Sequence, residues 1–183
     1  MKKILLILAA FLLFQSHLIA QESGDEGNGS TSTPLSPWFM GTGLGAVIPS
    51  ENFDPNFPLG GSALLFAGYR LDSHTALQLD LSPVFYTGGG DTLSDGRTFL
   101  NLRYSLPSKG YITYFLLGPG YDFQFNSGSW YNTASLAGDV GLGMQFDIHP
   151  GEHIFLEARY DVLLYQNVTQ QDIPIFFGLM EDL

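Results

Sequence analysis

The alternation of apolar and polar residues constrains the fold of this chain more than any other feature. From Pro37 onward, apolar side chains recur at every second position, in one segment after another, with turn residues between the segments. The clearest example is LQLDLS (Leu77–Ser82), where three leucines alternate with Gln, Asp and Ser. Successive side chains of a β-strand point to opposite faces, so this pattern predicts strands with one apolar and one polar face. No helical period competes with it.

Eight segments of this kind are predicted to be strands. Their approximate bounds are Trp38–Ile48, Leu59–Leu71, Thr75–Tyr86, Thr98–Leu106, Tyr111–Phe125, Thr133–Ile148, Ile154–Tyr165 and Ile173–Met180. The second is the weakest, because its apolar residues lie on both faces. Short links follow strands two, four and six, whereas longer polar links such as Thr87–Gly96 follow the odd-numbered strands. An up-and-down membrane barrel needs short turns at one end and long loops at the other.

The composition of the strands indicates which side of the barrel faces water. Alternation alone also permits a soluble periplasmic β-barrel that binds an apolar ligand in its interior. The charged fraction is only 14%, and the lysine nearest the strands, Lys109, lies in a turn, although an exposed sheet face usually carries many lysines. Aromatic residues gather in two bands near the strand ends, as in interfacial girdles. We therefore predict an all-β fold, an eight-stranded antiparallel up-and-down transmembrane β-barrel over residues 37–183.

The N-terminal segment predicts export from the cytoplasm. Lys2 and Lys3 precede the apolar run Ile4–Phe14, and the small residue Ala20 follows. This run is shorter than the roughly 20 residues that a membrane-spanning helix needs, so we interpret residues 1–20 as a signal peptide. Residues 21–36 contain no aromatic or β-branched aliphatic side chain and are predicted to form a disordered lead. The expected location is the cell outer membrane.

The composition also excludes several kinds of site. The chain has no cysteine, which excludes thiolate metal sites, cysteine nucleophiles, disulfides and a cysteine-linked lipid anchor. A formal net charge of −11 makes nucleic acid a poor partner. Gly41, Gly43 and Gly45 recur with a two-residue period, which marks one face of a strand and a packing role rather than a nucleotide loop. We expect no cofactor and no metal ion.

Charged residues on the polar faces are candidates for a network inside the barrel. The residues expected to form it are Asp80, Arg103, Asp139, Glu157, Arg159 and Asp161. Arg70, Asp122 and Asp147 are expected to face inward as well. An eight-stranded barrel is filled by its own side chains, so ion pairs and hydrogen bonds there are expected to be structural. The sharper alternative is a proton or ion path, or an acid/base pair.

The histidines argue against catalysis. A barrel esterase needs a nucleophile, a histidine and an acid near the outer rim. His74, His149 and His153 all fall in the short turns at the other end, so we expect a protein that is not an enzyme. His149 and His153 with Glu152 could ligate a metal loosely, but solvated turn histidines are expected. Asp95 falls in the link after strand three, where a plain turn is expected rather than a calcium site.

Five short segments resemble a known family. They are Gly68–Leu71 (GYRL), Gly118–Tyr121 (GPGY), Gly141–Gly143 (GLG), Glu157–Tyr160 (EARY) and Ile173–Leu179 (IPIFFGL). Their order and spacing over Trp38–Met180 are similar to those of the bacterial outer-membrane β-barrel domain family, the small OmpA/OmpX-like barrels. The resemblance implies an eight-stranded barrel inserted by the outer-membrane assembly machinery. Family members often end on an aromatic residue that this machinery reads, whereas this chain ends in Glu181-Asp182-Leu183.

These features predict a non-enzymatic integral outer-membrane barrel. It would contribute to membrane integrity, to surface interaction through its long extracellular loops, or to both. Phe53, Phe57, Trp130 and Tyr131 are the loop aromatics expected to contact an extracellular ligand. The other expected partners are outer-membrane lipid and the assembly machinery, and the barrel is expected to be a monomer.

Overall fold

The computed structural model describes residues 36–50, 59–88, 91–126, 129–164 and 169–183. The predicted signal peptide, nearly all of the lead, and Phe53 and Phe57 lie outside these described residues. The side chains of Trp130 and Tyr131 lie outside them as well. In the described part of the chain, no helix is long and apolar enough to cross a bilayer.

The described residues form one closed barrel of eight strands. The strands are β1 Trp38–Pro49, β2 Gly60–Arg70, β3 Thr75–Gly88, β4 Asp91–Ser108, β5 Tyr111–Asn126, β6 Ser129–His149, β7 Glu152–Leu164 and β8 Thr169–Asp182. Each strand pairs antiparallel with the next along the chain, and β8 pairs with β1 to close the barrel. The predicted fold class is confirmed.

The apolar faces of the strands point outward. On β3, the side chains of Leu79 and Leu81 are 51% and 48% exposed, whereas Asp80 between them is fully buried. Outward apolar residues recur on all eight strands, whereas the inward residues of β1 and β2 are mainly glycine and apolar residues. The outward residues include Leu44, Leu65, Leu79, Leu100, Leu117, Leu136, Val140, Leu156, Phe177 and Leu179. The charged side chains of the strands therefore lie mainly inside the barrel, together with buried apolar residues, and a belt of apolar side chains surrounds the barrel.

Rings and small residues fill the barrel interior on the side of β1. Buried rings of Phe66 and Phe155 pack edge to face, with centroids 5.4 Å apart. They lie against the inward face of β1, where Gly41 and Gly43 have no side chains. A Cβ atom on Gly41 would lie 2.3 Å from Phe66 Cζ and 2.6 Å from the Leu179 carbonyl oxygen. The glycines of β1 thus have the packing role that their spacing predicts.

Tight turns connect neighbouring strands at the end of the barrel where the predicted short links lie. Only Lys109 and Gly110 separate β4 from β5, and only Pro150 and Gly151 separate β6 from β7. Both glycines have positive φ, 87° and 82°, which other residues rarely adopt. We call this end the turn end and the opposite end the loop end.

Two of the predicted long loops are largely strand. β3 runs to Gly88 and β4 begins at Asp91, with Thr87 paired to Thr92, so the predicted link Thr87–Gly96 is mostly a hairpin. Similarly, β5 and β6 extend to Asn126 and from Ser129. The sequence prediction was wrong here because polar and glycine residues break the apolar alternation without breaking the backbone pairing. Asp95 consequently lies on β4 and faces inward rather than in a turn.

Proline interrupts one of the ladders. The pairing of β2 with β3 continues from Ser62–Val84 to Leu65–Leu81, with a gap beside Pro83, which has no N–H to donate. The Ser62 hydroxyl donates to the Pro83 carbonyl oxygen at 2.8 Å. It also lies 2.9 Å from the Ser82 hydroxyl. A side-chain hydroxyl thereby satisfies a carbonyl group at a point where the ladder is open.

Candidate functional site in the barrel interior

Arg159 on β7 organises the middle of the interior, in what we call the Arg159 cluster. Its Nη1 lies 2.7 Å from Asp80 and 3.1 Å from Asp139. Its Nε donates to Glu157, which shares a face of β7 with it. Asn101 donates to Asp80 at 2.7 Å and to Asp139 at 3.2 Å. Four strands thus bring one guanidinium, three carboxyl groups and one amide into a single hydrogen-bonded group.

Arg97 on β4 organises a second group nearer the loop end, the Arg97 cluster. Its side chain has no exposed surface. It binds both carboxylate oxygens of Asp172 at 2.8 Å, the bidentate geometry that makes such pairs strong. Its other acidic partners are Asp161 at 3.0 Å, Asp95 at 3.2 Å and Asp122 at 3.3 Å. The Tyr86 hydroxyl accepts from Arg97 at 3.0 Å and donates to Asp172 at 2.7 Å.

The sequence-predicted residues divide among three places. Asp80, Asp139, Glu157 and Arg159 come together in the Arg159 cluster, and Asp161 lies in the Arg97 cluster. Arg103 lies apart, toward the turn end. It donates to Gln145 at 2.7 Å and to Gln78 at 3.3 Å, and its guanidinium lies 3.7 Å from the centre of the Tyr114 ring. It forms no salt bridge with any described residue.

Sequence reasoning did not identify Arg97 and Asp172, which are central to the interior. Both fall one residue outside the strands predicted from Thr98 and from Ile173. The signal that could have found Arg97 is its phase on β4, because it shares a face with Asn101 and Arg103. Extending the alternation of β4 from Leu100 toward the N-terminus would have included Arg97.

Charged residues also meet at the turn end, where they form what we call the rim cluster. Arg70 Nη2 lies 2.6 Å from Asp182 on β8, and His153 Nε2 lies 3.5 Å from the other Asp182 oxygen. His153 Nδ1 lies 2.8 Å from Asp147. His153 is only 6% exposed, so the expectation that it is solvated was wrong: it is the second residue of β7 and points inward. Asp147, expected inside, is more than half exposed at the rim.

The histidines do not assemble a metal site in the described part of the chain. His149 and Glu152 are both exposed and lie 3.5 Å apart, whereas His153 points into the barrel. No group of three or more potential ligands that could hold a metal ion occurs among the described residues. In the separate turn between β2 and β3, the backbone amides of His74 and Thr75 donate to the Asp72 carboxylate at 2.7 and 2.8 Å. These hydrogen bonds hold the pKa of Asp72 below its usual value.

No family model and no curated protein matches this sequence. Several solved structures are similar in fold. Neisserial surface protein A matches with a TM-score of 0.66 at 12% identity, over 82% of this chain and 100% of that one. OprG from Pseudomonas aeruginosa matches with a TM-score of 0.57 at 12% identity, over 81% and 97%. Ail, the attachment invasion locus protein of Yersinia pestis, matches with a TM-score of 0.54 at 13% identity, over 80% and 99%.

These identities are too low to carry a function from one protein to the other, so the likeness concerns the fold. The match extends over nearly the whole of each solved barrel, in agreement with the strand order and closure described above. The chain has the fold of the small eight-stranded outer-membrane β-barrels, as its resemblance to the OmpA/OmpX-like barrels predicts.

Proposed function

We propose that this protein is an integral outer-membrane β-barrel that is not an enzyme, supports membrane integrity and presents its loop end for surface interaction. The observation that carries the proposal is the polarity of the barrel. The side chains of Leu44, Leu117 and Phe177 are 75%, 64% and 59% exposed on the outer wall. Arg97 and Arg159 are buried with their carboxylate partners. Hydrocarbon around the barrel accounts for both features.

The alternative of a soluble barrel that binds an apolar ligand is disfavoured by the same polarity. Such a barrel would place its leucines around a central cavity and its charges in water. Here Asp80 and Asp172 are fully buried, and leucines cover the wall. An exposed apolar belt around a whole domain far exceeds the patches that soluble monomers tolerate.

A structural role for the interior fits the way its charges are used. Every arginine of the Arg97 and Arg159 clusters contacts several carboxyl groups, and both clusters are shielded from solvent. Buried polar groups need such partners, because an unpaired charge in a region of low dielectric is costly. The location of His74, His149 and His153, the histidines of the described residues, at the turn end supports a protein without hydrolytic activity.

The surface role is assigned to the loop end. The paired extensions of β3 with β4 and of β5 with β6 are hydrogen-bonded ribbons that continue to Gly88 and Asp91 and to Asn126 and Ser129. Tyr121 and Phe123 stack on the outer face of β5, with ring centroids 6.5 Å apart. Hydrogen-bonded ribbons hold side chains in fixed positions, which suits recognition of a partner.

Membrane fractionation tests the location. Detergent extraction of the outer membrane should recover the protein, and its gel mobility should change on boiling, because closed barrels resist dodecyl sulfate until they are heated. Recovery in the periplasm without detergent would contradict the proposal. A soluble form with unchanged mobility would support the alternative.

Cysteine labelling tests the orientation, since the native chain has no cysteine. Thr92→Cys places a thiol on the exposed part of the β3–β4 hairpin, and Lys109→Cys places one in a turn at the opposite end. A maleimide too bulky to cross the outer membrane should label the Thr92 variant on intact cells. It should label the Lys109 variant only after the outer membrane is permeabilised. The reverse result would refute the assignment of the loop end to the cell surface.

A further inference from the structure

A vestibule of about 550 Å³ opens into the barrel at the turn end. It lies at the opposite end from the hairpins to which the surface role is assigned. Its walls include Phe39, Arg70, Arg103, Gln145, His153 and Asp182. This volume falls within the range of pockets that hold small molecules.

Arg103 makes the floor of the vestibule unusual. It is 4% exposed and forms no salt bridge with any described residue, unlike the buried Arg97 and Arg159. Gln78 and Gln145 hold it through neutral amide oxygens, and Met180 through its sulfur. These contacts use three of the five N–H groups of a guanidinium. They fix its position without balancing its charge.

Arg103 is separated from Glu157 of the Arg159 cluster by the ring and hydroxyl of Tyr114. Its guanidinium lies 3.7 Å from the centre of the Tyr114 ring and 5.3 Å from that of Phe39. The Tyr114 hydroxyl donates to Glu157 at 2.8 Å, on the far side from the vestibule. The carboxylate of Glu157 is therefore occupied by Tyr114 and Arg159, and Arg103 remains without a counter-charge at contact distance.

The carboxylates in the vestibule wall also have partners other than Arg103. Asp182 pairs with Arg70, Asp147 with His153, and Asp72 accepts the amides of its own turn. Each is held by a local partner. Their charges nevertheless make the vestibule unfavourable for a multiply charged anion such as phosphate. A singly charged anion suits it better.

Several of the other lining side chains are apolar, beside the polar residues Ser73, His74, Thr75 and Ser105. Phe39, Ala76, Ile112 and Met180 line the vestibule together with Pro37. We propose that the vestibule binds a monocarboxylate with a small apolar body, the carboxylate on Arg103 and the apolar part against these side chains. A guanidinium offers a carboxylate paired N–H donors, and the wall removes apolar surface from water.

Titration with benzoate tests this site. Amide NMR spectra of the isotopically labelled barrel in detergent micelles should show saturable shifts at Ala76, Arg103 and Gln145. The expected dissociation constant is about 1 mM, the strength of a weak small-molecule complex. Benzamide has the same shape without the charge and should give no saturable shift at these residues. Equal binding of the two compounds, or no binding of benzoate, would overturn the proposal.

Arg103→Gln should weaken benzoate binding at least about 10-fold, because hydrogen bonds to a charged group are lost. The matched control is Lys109→Gln, which removes the same charge from an exposed turn at the same end and should leave binding unchanged. If Arg103→Gln does not fold, Arg103→Lys keeps the charge and loses the planar fork, and it should weaken binding by a smaller factor. Unchanged binding in the folded Arg103 variant would refute the site. Gel mobility on heating reports the barrel itself, so failure of the proposed membrane function is distinguishable from failure of this site.

Discussion

Arg97 and Arg159 stabilise the interior because each contacts several carboxyl groups. Seven carboxyl groups and three arginines are buried among the described residues. The carboxyl groups are Asp80, Asp95, Asp122, Asp139, Glu157, Asp161 and Asp172. With this excess of acidic groups, removal of one guanidinium affects many partners.

Arg97→Met is expected to destabilise the barrel by about 3–5 kcal/mol, since it removes the guanidinium that contacts the buried carboxyl groups of Asp95, Asp161 and Asp172. Denaturant-induced unfolding from lipid vesicles measures the change. Lys109→Met, at an exposed turn, is the control and should stay within about 0.5 kcal/mol of the native protein. A similar small change for Arg97→Met would show that the cluster is not a stabilising unit.

Gly41→Ala tests the packing of β1. The added methyl group would approach the ring of Phe66 and the backbone oxygen of Leu179, which cannot move away easily. The expected loss of stability is about 1–3 kcal/mol. Gly61→Ala on the neighbouring strand is the matched control, because a Cβ there meets no atom within 4 Å. That variant should be neutral or slightly stabilised, and equal losses would contradict the packing argument.

The interior could be predicted from sequence only where alternation was regular. Asp80 and Glu157 are flanked by outward apolar residues, so their inward direction followed from the period of the strand. His153 and Asp147 were assigned wrongly because they lie where strands end, and there the next turn decides which side chains are covered. The pairing of Arg159 with Asp80 depends on the register between distant strands, which no local pattern contains.

At the scale of the strands, sequence patterns predicted the existence and order of all eight but not their lengths. The outward positions of β4 before Thr98 are Gly96, Ser94 and Thr92, which are small or polar rather than apolar. Backbone pairing continues there because it does not depend on the side chains. Hairpin length at the loop end was therefore underestimated.

Ser62→Ala tests how the barrel tolerates Pro83 within a strand. Loss of the hydroxyl leaves the Pro83 carbonyl oxygen without its donor at a gap in the ladder. The expected cost is about 0.5–1.5 kcal/mol, the net contribution of a typical hydrogen bond, because the bond is only partly buried. Ser94→Ala, half-buried on the outer face of β4, serves as the control and should change stability little. Equal unfolding midpoints for the two variants would exclude the proposed role of Ser62.

At the scale of the whole molecule, the inverted polarity has a measurable consequence. Leu81→Arg places a charge in the middle of β3 on the outer wall and should cost about 2–4 kcal/mol if that wall is in hydrocarbon. Thr92→Arg, on the hairpin beyond the belt, should cost no more than about 1 kcal/mol. Folding equilibria in vesicles of defined thickness give both values. A soluble barrel would be nearly indifferent to either substitution.

The pairing of the last strand with the first determines how such a chain can fold. Phe39 faces Asp182 across that seam, and the Leu183 amide donates to the Trp38 carbonyl oxygen at 3.0 Å. These partners are separated by almost the entire domain along the chain, which makes folding intrinsically slow. Until they meet, the sheet has two open edges that hydrocarbon cannot solvate and that favour aggregation. Insertion of an open sheet into the bilayer therefore contributes little stability. We expect insertion and closure of the barrel to occur together, and the unfolded chain to depend on chaperones before then.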